Sequence, residues 1–290
     1  MTEPADVGSP ATVGSPAKVG DPADATEVTD TTEPADTTER AAAPLRLTYV
    51  GHATVLIEVD GVRILTDPVL RPRVGALRRR GPLPEPADYE AIDAVLVSHA
   101  HPDHFDRPSL LAIGADPLLV VPRGLAGAAA GVGRPTVELS VNERVVIRGV
   151  RITAVPARHG RWPLERDSRP IGYLIEGSKR VYFAGDTALY PGMARLAGRV
   201  DVALLPVGRW GPPTGPARLT PATAVDAARL VGAKVAVPVH WGTLYVPGFR
   251  AGRWGWGSLG AGRAFAEEGR SAPDLAVVVL QQGEACEIEV

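Results

Sequence analysis

The densest group of side chains capable of chemistry lies between His99 and His104. This stretch, His-Ala-His-Pro-Asp-His, supplies three imidazoles and one carboxylate within six residues. His99 and His101 are two positions apart, so in an extended chain their side chains point to the same side. Asp103 and His104 follow where the chain must turn, which can direct them at a second point nearby. Imidazole and carboxylate suit zinc well, and open positions on such ions hold water.

The element that precedes this stretch strengthens the interpretation as a metal site. The apolar run Ile92–Ser98 predicts a fully buried strand, so the imidazoles and the carboxylate begin at the edge of the core. A group this polar beside a core strand is hard to stabilise without a metal. A chance cluster or a capped turn is the alternative, and this density argues against it.

The pattern H-x-H-x-D-H after a β-strand resembles the signature of the metallo-β-lactamase superfamily. The rest of the chain supplies the other ligands of that family in order, at His159, Asp186 and His240, each near the end of a predicted strand. The resemblance implies an α+β fold, the four-layer αββα sandwich. It further implies that His99, His101 and His159 hold one metal, that Asp103, His104 and His240 hold the other, and that Asp186 bridges them.

The chemistry that this resemblance implies is hydrolysis by two Zn²⁺ ions, with Mn²⁺ or Fe as other metals that fit. Two adjacent cations lower the pKa of a shared water from about 15.7 towards 7, and the resulting bridging hydroxide attacks phosphorus or a carbonyl carbon. Asp103 is the candidate catalytic residue that orients this water and passes on its proton.

Four further segments narrow the resemblance. Tyr49–Ile57, Leu65–Pro68, Phe183–Thr187 and His240–Thr243 resemble the branch that contains N-acylphosphatidylethanolamine-hydrolysing phospholipase D and the ascorbate-phosphate lactonase-like proteins. This branch implies a phosphodiester or lactone-type substrate, either a small molecule or a lipid. One position departs from it, because Arg218 stands where the branch often has a histidine. Arg218 is therefore a candidate anion clamp.

Other side chains are weaker candidates for contacts to the ligands or the substrate. His52 is the one histidine without a predicted ligand role, and its position in a turn between two strands allows either a bond to a ligand carboxylate or a solvated ring. Trp241, Trp162 and Trp210 are candidate pocket walls, with core or surface packing as the alternative. The arginines of the 71–80 loop are candidate contacts to phosphate or an anionic membrane surface, with plain solvation as the alternative.

Two rival functions remain open at this point. One is an iron-dependent oxidoreductase of the same fold, similar to the persulfide dioxygenases, which retain the same motif. The other is a non-catalytic metal-binding protein. Asp186 at the bridging position, where a cysteine would be expected, argues against a true β-lactamase. His101 argues against the diiron flavoproteins, which have glutamate there.

The remaining patterns predict the elements that must position these residues. The predicted strands are Leu45–Val50, Thr54–Val59, Val62–Thr66, Leu118–Pro122, a hairpin over Val145–Val155, Gly172–Glu176, Val181–Ala184, Val202–Val207, Val235–Val239 and a last pair at Leu275–Leu280 and Cys286–Val290. Helices are predicted from Asp106 to Ile113, from Thr220 to Leu230 and near Gly260–Glu268, the first two with a capping residue followed by proline. Arg71–Pro86 is predicted to be a loop.

Composition and charge bound the class of protein. Residues 1–43 hold nine acidic and two basic residues, repeat short Pro/Gly/Thr motifs and contain no aromatic residue, so we expect a disordered tail before a hydrolase domain at 44–290. The basic surplus of the remainder is small and spread out, which argues against a nucleic-acid partner. With one cysteine and no long apolar run, we expect a cytoplasmic protein without a transmembrane segment, for which peripheral membrane contact stays open.

Overall fold

A computed structural model describes residues 44–114, 116–159, 168–208, 218–248 and 259–290. The predicted tail at 1–43 and the tryptophans Trp162 and Trp210 lie outside these residues. In the described ranges the strands are β1 (Leu45–Gly51), β2 (Thr54–Val59), β3 (Val62–Thr66), β4 (Arg73–Val74), β5 (Leu77–Arg79), β6 (Ala94–Leu96), β7 (Leu118–Pro122), β8 (Thr136–Leu139), β9 (Arg144–Ile147), β10 (Val150–Pro156), β11 (Ile171–Glu176), β12 (Arg180–Phe183), β13 (Val202–Pro206), β14 (Val235–Val239), β15 (Leu244–Tyr245), β16 (Ala276–Val277) and β17 (Ala285–Ile288). The α-helices are α1 (Arg107–Ala112), α2 (Ala126–Ala129), α3 (Pro221–Leu230) and α4 (Ala261–Gly269).

Most of these strands form two large sheets. Within the described residues, the first sheet has seven strands in the order β17-β1-β2-β3-β6-β7-β8, and the second has seven in the order β16-β14-β13-β12-β11-β10-β9. Helices α1 and α2 cover the outer face of the first sheet, and α3 and α4 cover that of the second. This is the predicted αββα sandwich.

Strand β6, which precedes the histidine cluster, is hydrophobic throughout because both of its faces are buried. Ala94 and Leu96 of β6 face the core between the two sheets, whereas Val95 and Val97 face the helical layer outside. Since side chains alternate along a strand, a strand covered on both faces needs apolar residues at every position. The regular part of this strand is shorter than predicted, because only Ala94–Leu96 of Ile92–Ser98 form ladder pairs.

Two helix starts follow the sequence signals closely. The side chain of Asp106 accepts a hydrogen bond from the main-chain N–H of Ser109 at the start of α1. Thr220 caps α3 in the same way through the N–H of Thr223, and Pro221 occupies the first turn. The tight turn at Asp60-Gly61 also forms, with both residues at positive φ.

One prediction of local structure is wrong. The segment Arg71–Pro86 is not only loop, because β4 and β5 form a hairpin that pairs with β15 in a small third sheet. The last two strands, β16 and β17, lie in different sheets. β16 joins β14 in the second sheet, while β17 joins β1 in the first, so the chain crosses between the sheets after Val277.

The arginines of the 71–80 loop are largely committed to internal contacts. Arg71 makes two 2.8 Å hydrogen bonds to the carboxylate of Asp106. Arg79 donates to the carbonyl oxygens of Val50 and Val69, and the guanidinium of Arg80 lies 4.4 Å from the centre of the Tyr245 ring. Arg71 and Arg79 tie this segment to the body of the protein, whereas Arg80 packs on Tyr245 within the small third sheet. Arg71, Arg79 and Arg80 therefore make structural contacts, which neither of the two proposed roles of the loop had anticipated.

Candidate metal centre

The predicted ligands meet at one edge of the sandwich, where strands of both sheets end. The 99–104 segment follows β6 of the first sheet, while His159, Asp186 and His240 follow β10, β12 and β14 of the second. The main-chain N–H of His104 donates to the carbonyl of His101, so the chain turns where the sequence predicted a turn. All seven predicted ligands therefore converge from segments that are far apart in the chain.

Three imidazoles form the first group, which consists of His99, His101 and His159. His101 Nδ1 lies 2.9 Å from His99 Nε2 and 3.3 Å from His159 Nε2. Zinc–nitrogen bonds of 2.0–2.1 Å in a tetrahedral site separate neighbouring ligand atoms by about 3.3 Å. The three nitrogens thus have the spacing of ligands to one small cation.

The second group consists of Asp103, His104 and His240, with His52 beside them. Asp103 Oδ2 lies 3.4 Å from His104 Nε2 and 3.6 Å from His240 Nε2. The Nε2 atoms of His104 and His240 are buried, and neither has a hydrogen-bond partner among the described residues. Buried polar atoms without partners are uncommon in folded proteins, so these two nitrogens fit a site that binds a cation.

Asp186 lies between the two groups. Its Oδ1 is 3.3 Å from His240 Nε2 and 3.8 Å from His104 Nε2, both in the second group. Its Oδ2 is 3.8 Å from His159 Nε2 in the first group. Each oxygen of this carboxylate therefore faces a different set of nitrogens, which is the arrangement that a bridging ligand requires.

The electrostatics of the cluster favour a positive charge at its centre. Burial raises the pKa of Asp186, but the imidazoles of His240 and His104 outweigh it and hold the pKa of this carboxyl well below its usual value. Burial lowers the pKa of His104, yet the carboxylates Asp103, Asp186 and Asp67 raise that pKa well above its usual value. Burial, together with His104, holds the pKa of His99 well below its usual value. The carboxylates thus attract a positive charge to the ring of His104, and a bound cation would supply that charge in place of a ring proton.

Asp67 is a functional candidate to which the sequence analysis gave no role. Its Oδ2 accepts hydrogen bonds from His104 Nδ1 at 2.7 Å and from the Ser98 hydroxyl at 2.6 Å. Because the Ser98 hydroxyl gives its proton to Asp67, its oxygen accepts from His99 Nδ1 at 2.9 Å. Both rings therefore use Nδ1 for these bonds and direct Nε2 into the cluster, so Asp67 orients one proposed ligand of each group. The available signal was a buried acidic residue at the end of β3, within the quoted Leu65–Pro68 motif.

A glycine lets the two sheets approach at this edge. Gly185 has φ of +58°, and a Cβ there would lie 2.7 Å from the Cβ of Ser98. Any larger residue would push the end of β12, and with it Asp186, away from the 99–104 segment.

The remaining candidates lie in different surroundings. His52 is buried, with Nε2 2.9 Å from Asp103 Oδ2, so it contacts the carboxylate of a proposed ligand.

Trp241 packs in the core instead of forming a pocket wall: it stacks on Tyr49 with the ring planes 9° apart, and its Nε1–H donates to the carbonyl of Pro238. Arg218 is half-buried, next to Leu219, whose N–H donates to the carbonyl of Thr187 directly after Asp186.

No helix within the described residues is both long and apolar enough to cross a bilayer.

Comparisons with known proteins agree with this geometry. Residues 62–241 match the model of the beta-lactamase superfamily domain. An uncharacterized protein of Mycobacterium tuberculosis is 34% identical over 237 residues, which are 74% of this chain and 62% of that protein, so the chain spans less than two thirds of that relative's length. A UPF0173 metal-dependent hydrolase of Methanopyrus kandleri is 34% identical over 212 residues, covering 69% of this chain and 85% of the relative.

Among solved structures, the metallo hydrolase Igni18 of the archaeon Ignicoccus hospitalis superimposes with a TM-score of 0.66 at 27% identity, covering 86% of this chain and all of that one. The family model matches more than half of the chain, and its region contains all seven predicted ligands. The chain belongs to the beta-lactamase superfamily and has the metallo-β-lactamase fold of its metal-dependent hydrolases.

Proposed function

We propose that this protein is a dinuclear zinc hydrolase that acts on a phosphodiester or lactone-type substrate. His99, His101 and His159 would hold the first cation, and Asp103, His104 and His240 the second, with Asp186 shared between them. The observation that carries the proposal is that the two oxygens of Asp186 face nitrogens of opposite groups. When bound, such a cation pair lowers the pKa of a shared water and polarises the bond to be cleaved.

The protein's own residues have separable tasks in this proposal. Asp67 and Ser98 fix the tautomers of His104 and His99, so that both present a lone pair at Nε2. Asp103 is the residue that orients the attacking water and receives its proton, because its carboxylate is buried beside His104 and His240. Its pKa is held well below the usual value, so the carboxylate is in the ionised form that can accept. Burial raises that pKa, and His104 is the largest of the effects that lower it.

Arg218 is the proposed anion-binding residue at the rim. Its neighbour Leu219 is tied to the carbonyl of Thr187, which follows the shared Asp186, so the main chain of Arg218 lies close to the ligand cluster. A cationic side chain there suits a phosphate or carboxylate group on the substrate. Removing the charge in Arg218→Met should raise KM for an anionic substrate more than it lowers kcat.

Metal content tests the two-cation arrangement directly. Purified protein, quantified by inductively coupled plasma mass spectrometry, should contain about two equivalents of metal, mainly zinc. His159→Ala and His240→Ala form a matched pair, since each removes one imidazole from a different group, and each should retain about one equivalent. A wild-type protein that binds at most one equivalent at saturating zinc would contradict the dinuclear assignment, and iron as the sole bound metal would favour the oxidoreductase alternative.

A substrate screen tests the reaction. Metal-loaded protein should hydrolyse at least one of bis-p-nitrophenyl phosphate, N-acylphosphatidylethanolamine and acyl-homoserine lactones, and a chelator should abolish this activity until zinc is restored. Asp103→Asn tests the specific chemistry at matched zinc content, because it removes the proton acceptor and keeps the shape of a side chain that is also a proposed ligand. Turnover that is unchanged in Asp103→Asn would exclude the role given to this residue, and chelator-resistant turnover would exclude metal-dependent hydrolysis.

A further inference from the structure

The β1–β2 turn brings a sixth histidine to the second group, beyond the five imidazoles of the proposed ligand set. We infer that His52 is a positioning residue: its Nε2–H holds the carboxylate of Asp103 and thereby sets metal affinity at the second position without affecting the first. This inference rests on the proposed function, since it concerns how one of the two cation positions is built.

The contact is short, direct and shielded from water. His52 Nε2 lies 2.9 Å from Asp103 Oδ2, and the two side chains are 3% and 1% exposed. The same oxygen lies 3.4 Å from His104 Nε2 and 3.6 Å from His240 Nε2. His52 therefore contacts the carboxylate oxygen that faces the other ligands of the second group, so a change at His52 acts on the atom that would bind the metal.

The direction of this hydrogen bond follows from the chemistry of the partners. An ionised carboxylate only accepts hydrogen bonds, so the proton lies on Nε2 of His52. A nitrogen that carries a proton has no lone pair for a metal. His52 therefore supports the proposed ligand Asp103 and does not bind metal itself, although its ring nitrogen lies within 4.8 Å of the ligand atoms of the second group.

The main chain on either side holds the ring in this position. The N–H of His52 donates to the Thr243 hydroxyl at 2.7 Å, and its carbonyl accepts from the N–H of His240 at 2.6 Å. The rings of His52 and His240 lie 3.9 Å apart between centroids. The turn of the first sheet is thus fastened to the end of β14 in the second sheet. Because both sides of the residue are tied, the ring has little freedom to leave Asp103.

The turn itself depends on a backbone that few residues tolerate. Gly51 has φ of +126°, and a Cβ there would lie 2.9 Å from Arg79 Nη1. His52 follows with φ of +59°. A non-glycine residue in the left-handed region costs energy, and such strain is found mainly where surrounding contacts over-determine it. Here the four contacts of His52 with Asp103, Thr243 and His240 hold the residue in this strained conformation.

Three substitutions of His52 test whether zinc affinity depends on the hydrogen-bond donor at Nε2 or only on the volume of the side chain. His52→Gln has an amide N–H that can reach the position of Nε2, His52→Asn carries the same amide one methylene shorter, and His52→Leu fills a similar volume without a donor. Outer hydrogen-bond partners of metal ligands typically change affinity by roughly 10–100-fold. We expect His52→Asn and His52→Leu to weaken zinc binding at the second position by about that factor, and His52→Gln to restore most of the loss.

The readout is stepwise zinc binding to metal-free full-length protein in a chelator competition, with thermal unfolding of each metal-free variant as the check on folding. The first binding step should stay at the wild-type affinity in all three variants. His159→Ala, which removes a ligand of the first group, is the matched control and should lose a different step. Asparagine tolerates positive φ, so His52→Asn carries the test should His52→Leu fail to fold.

The outcomes distinguish this inference from the proposed function. Wild-type affinity for both zinc ions in His52→Asn or in a folded His52→Leu would overturn the inference while leaving the proposed function intact. Loss of the second zinc in His52→Gln as complete as in His52→Asn would also overturn it, since a donor at the same place should suffice. Failure of the wild-type protein to bind a second zinc would instead overturn the proposed function.

Discussion

The two ends of the second sheet hold buried carboxylates in opposite circumstances. Before β13, Asp201 accepts two 2.9 Å hydrogen bonds from the guanidinium of Arg180 and another from its main-chain N–H. After β12, at the other end, Asp186 faces the imidazoles of His240, His104 and His159 at 3.3–3.8 Å. One carboxylate has its full complement of donors, and the other is surrounded by nitrogens beyond ordinary hydrogen-bond distance.

This difference distinguishes the end of the sheet that an ion pair stabilises from the end at which we propose the chemistry. A satisfied ion pair such as Arg180–Asp201 needs no further partner. A buried carboxylate among crowded imidazoles is costly unless a cation completes it. The proposed ligands Asp186 and His240 lie at the carboxyl ends of the parallel strands β12 and β14, while the ion pair lies at the amino ends of β12 and β13. The following predictions test this contrast.

The largest effect is expected from Asp186→Asn. The amide keeps the shape of the side chain but removes the charge shared by the two groups, so affinity for both cations should fall. Activity should drop by more than the roughly 100-fold that the loss of an outer partner costs. Zinc titration and initial rates at saturating zinc measure the two effects. Retention of two tightly bound zinc ions in this variant would refute the shared role of Asp186.

A smaller effect on both positions is expected from Asp67→Asn. An amide cannot accept in full from the Ser98 hydroxyl, the Ser98 N–H and His104 Nδ1, so His99 and His104 lose their fixed tautomers. Zinc affinity or activity should fall by roughly 10–100-fold.

Asp106→Asn is the matched control for Asp67→Asn. Asp106 is also a buried carboxylate, but its partners are Arg71 and the first turn of α1. It should reduce the free energy of unfolding and leave zinc affinity unchanged. Equal loss of zinc affinity in both variants would indicate that the effect is general destabilisation.

The smallest effect is expected at the opposite end, from Asp201→Asn. Its hydrogen bonds to Arg180 lower the pKa of Asp201 against the opposing effect of burial. The ionised pair therefore stabilises the fold above the unfolded-state pKa of about 3.9, and this contribution is lost as the pH falls through the lower folded-state pKa. At neutral pH the variant should lose about 1 kcal/mol, a modest figure because Arg180 is 37% exposed.

Urea denaturation at several pH values measures this loss in Asp201→Asn. The difference from wild type should shrink below about pH 4. Zinc content and activity should match those of the wild-type protein. A loss of zinc here would remove the distinction between the two ends of the sheet.

Much of the local structure was predictable because it depends on neighbours in the chain. Hydrophobic alternation marked most strands, and Asp106 and Thr220 marked helix starts through contacts with residues three positions away. The order and spacing of the histidines and aspartates likewise indicated the ligand set. The small third sheet was missed because its two-residue and three-residue strands are too short to carry a hydrophobic period.

The sequence did not predict which side chains of distant segments contact each other. The bond between His104 and Asp67 spans 37 positions, and the one between His52 and Thr243 spans 191. Trp241 was a candidate pocket wall until its stacking on Tyr49 placed it in the core. Such pairings depend on how two sheets meet, which no local pattern records.

The sequence by itself determined the chemistry available to this protein, since side-chain types and their positions at strand ends follow directly from the order of residues. The tertiary structure alone decided which oxygen of Asp186 faces which group, and that Asp67 and His52 contact His104 and Asp103. The physical reason is that hydrogen-bond direction and metal geometry are set by distances of a few tenths of an ångström. These distances exist only once both sheets have packed.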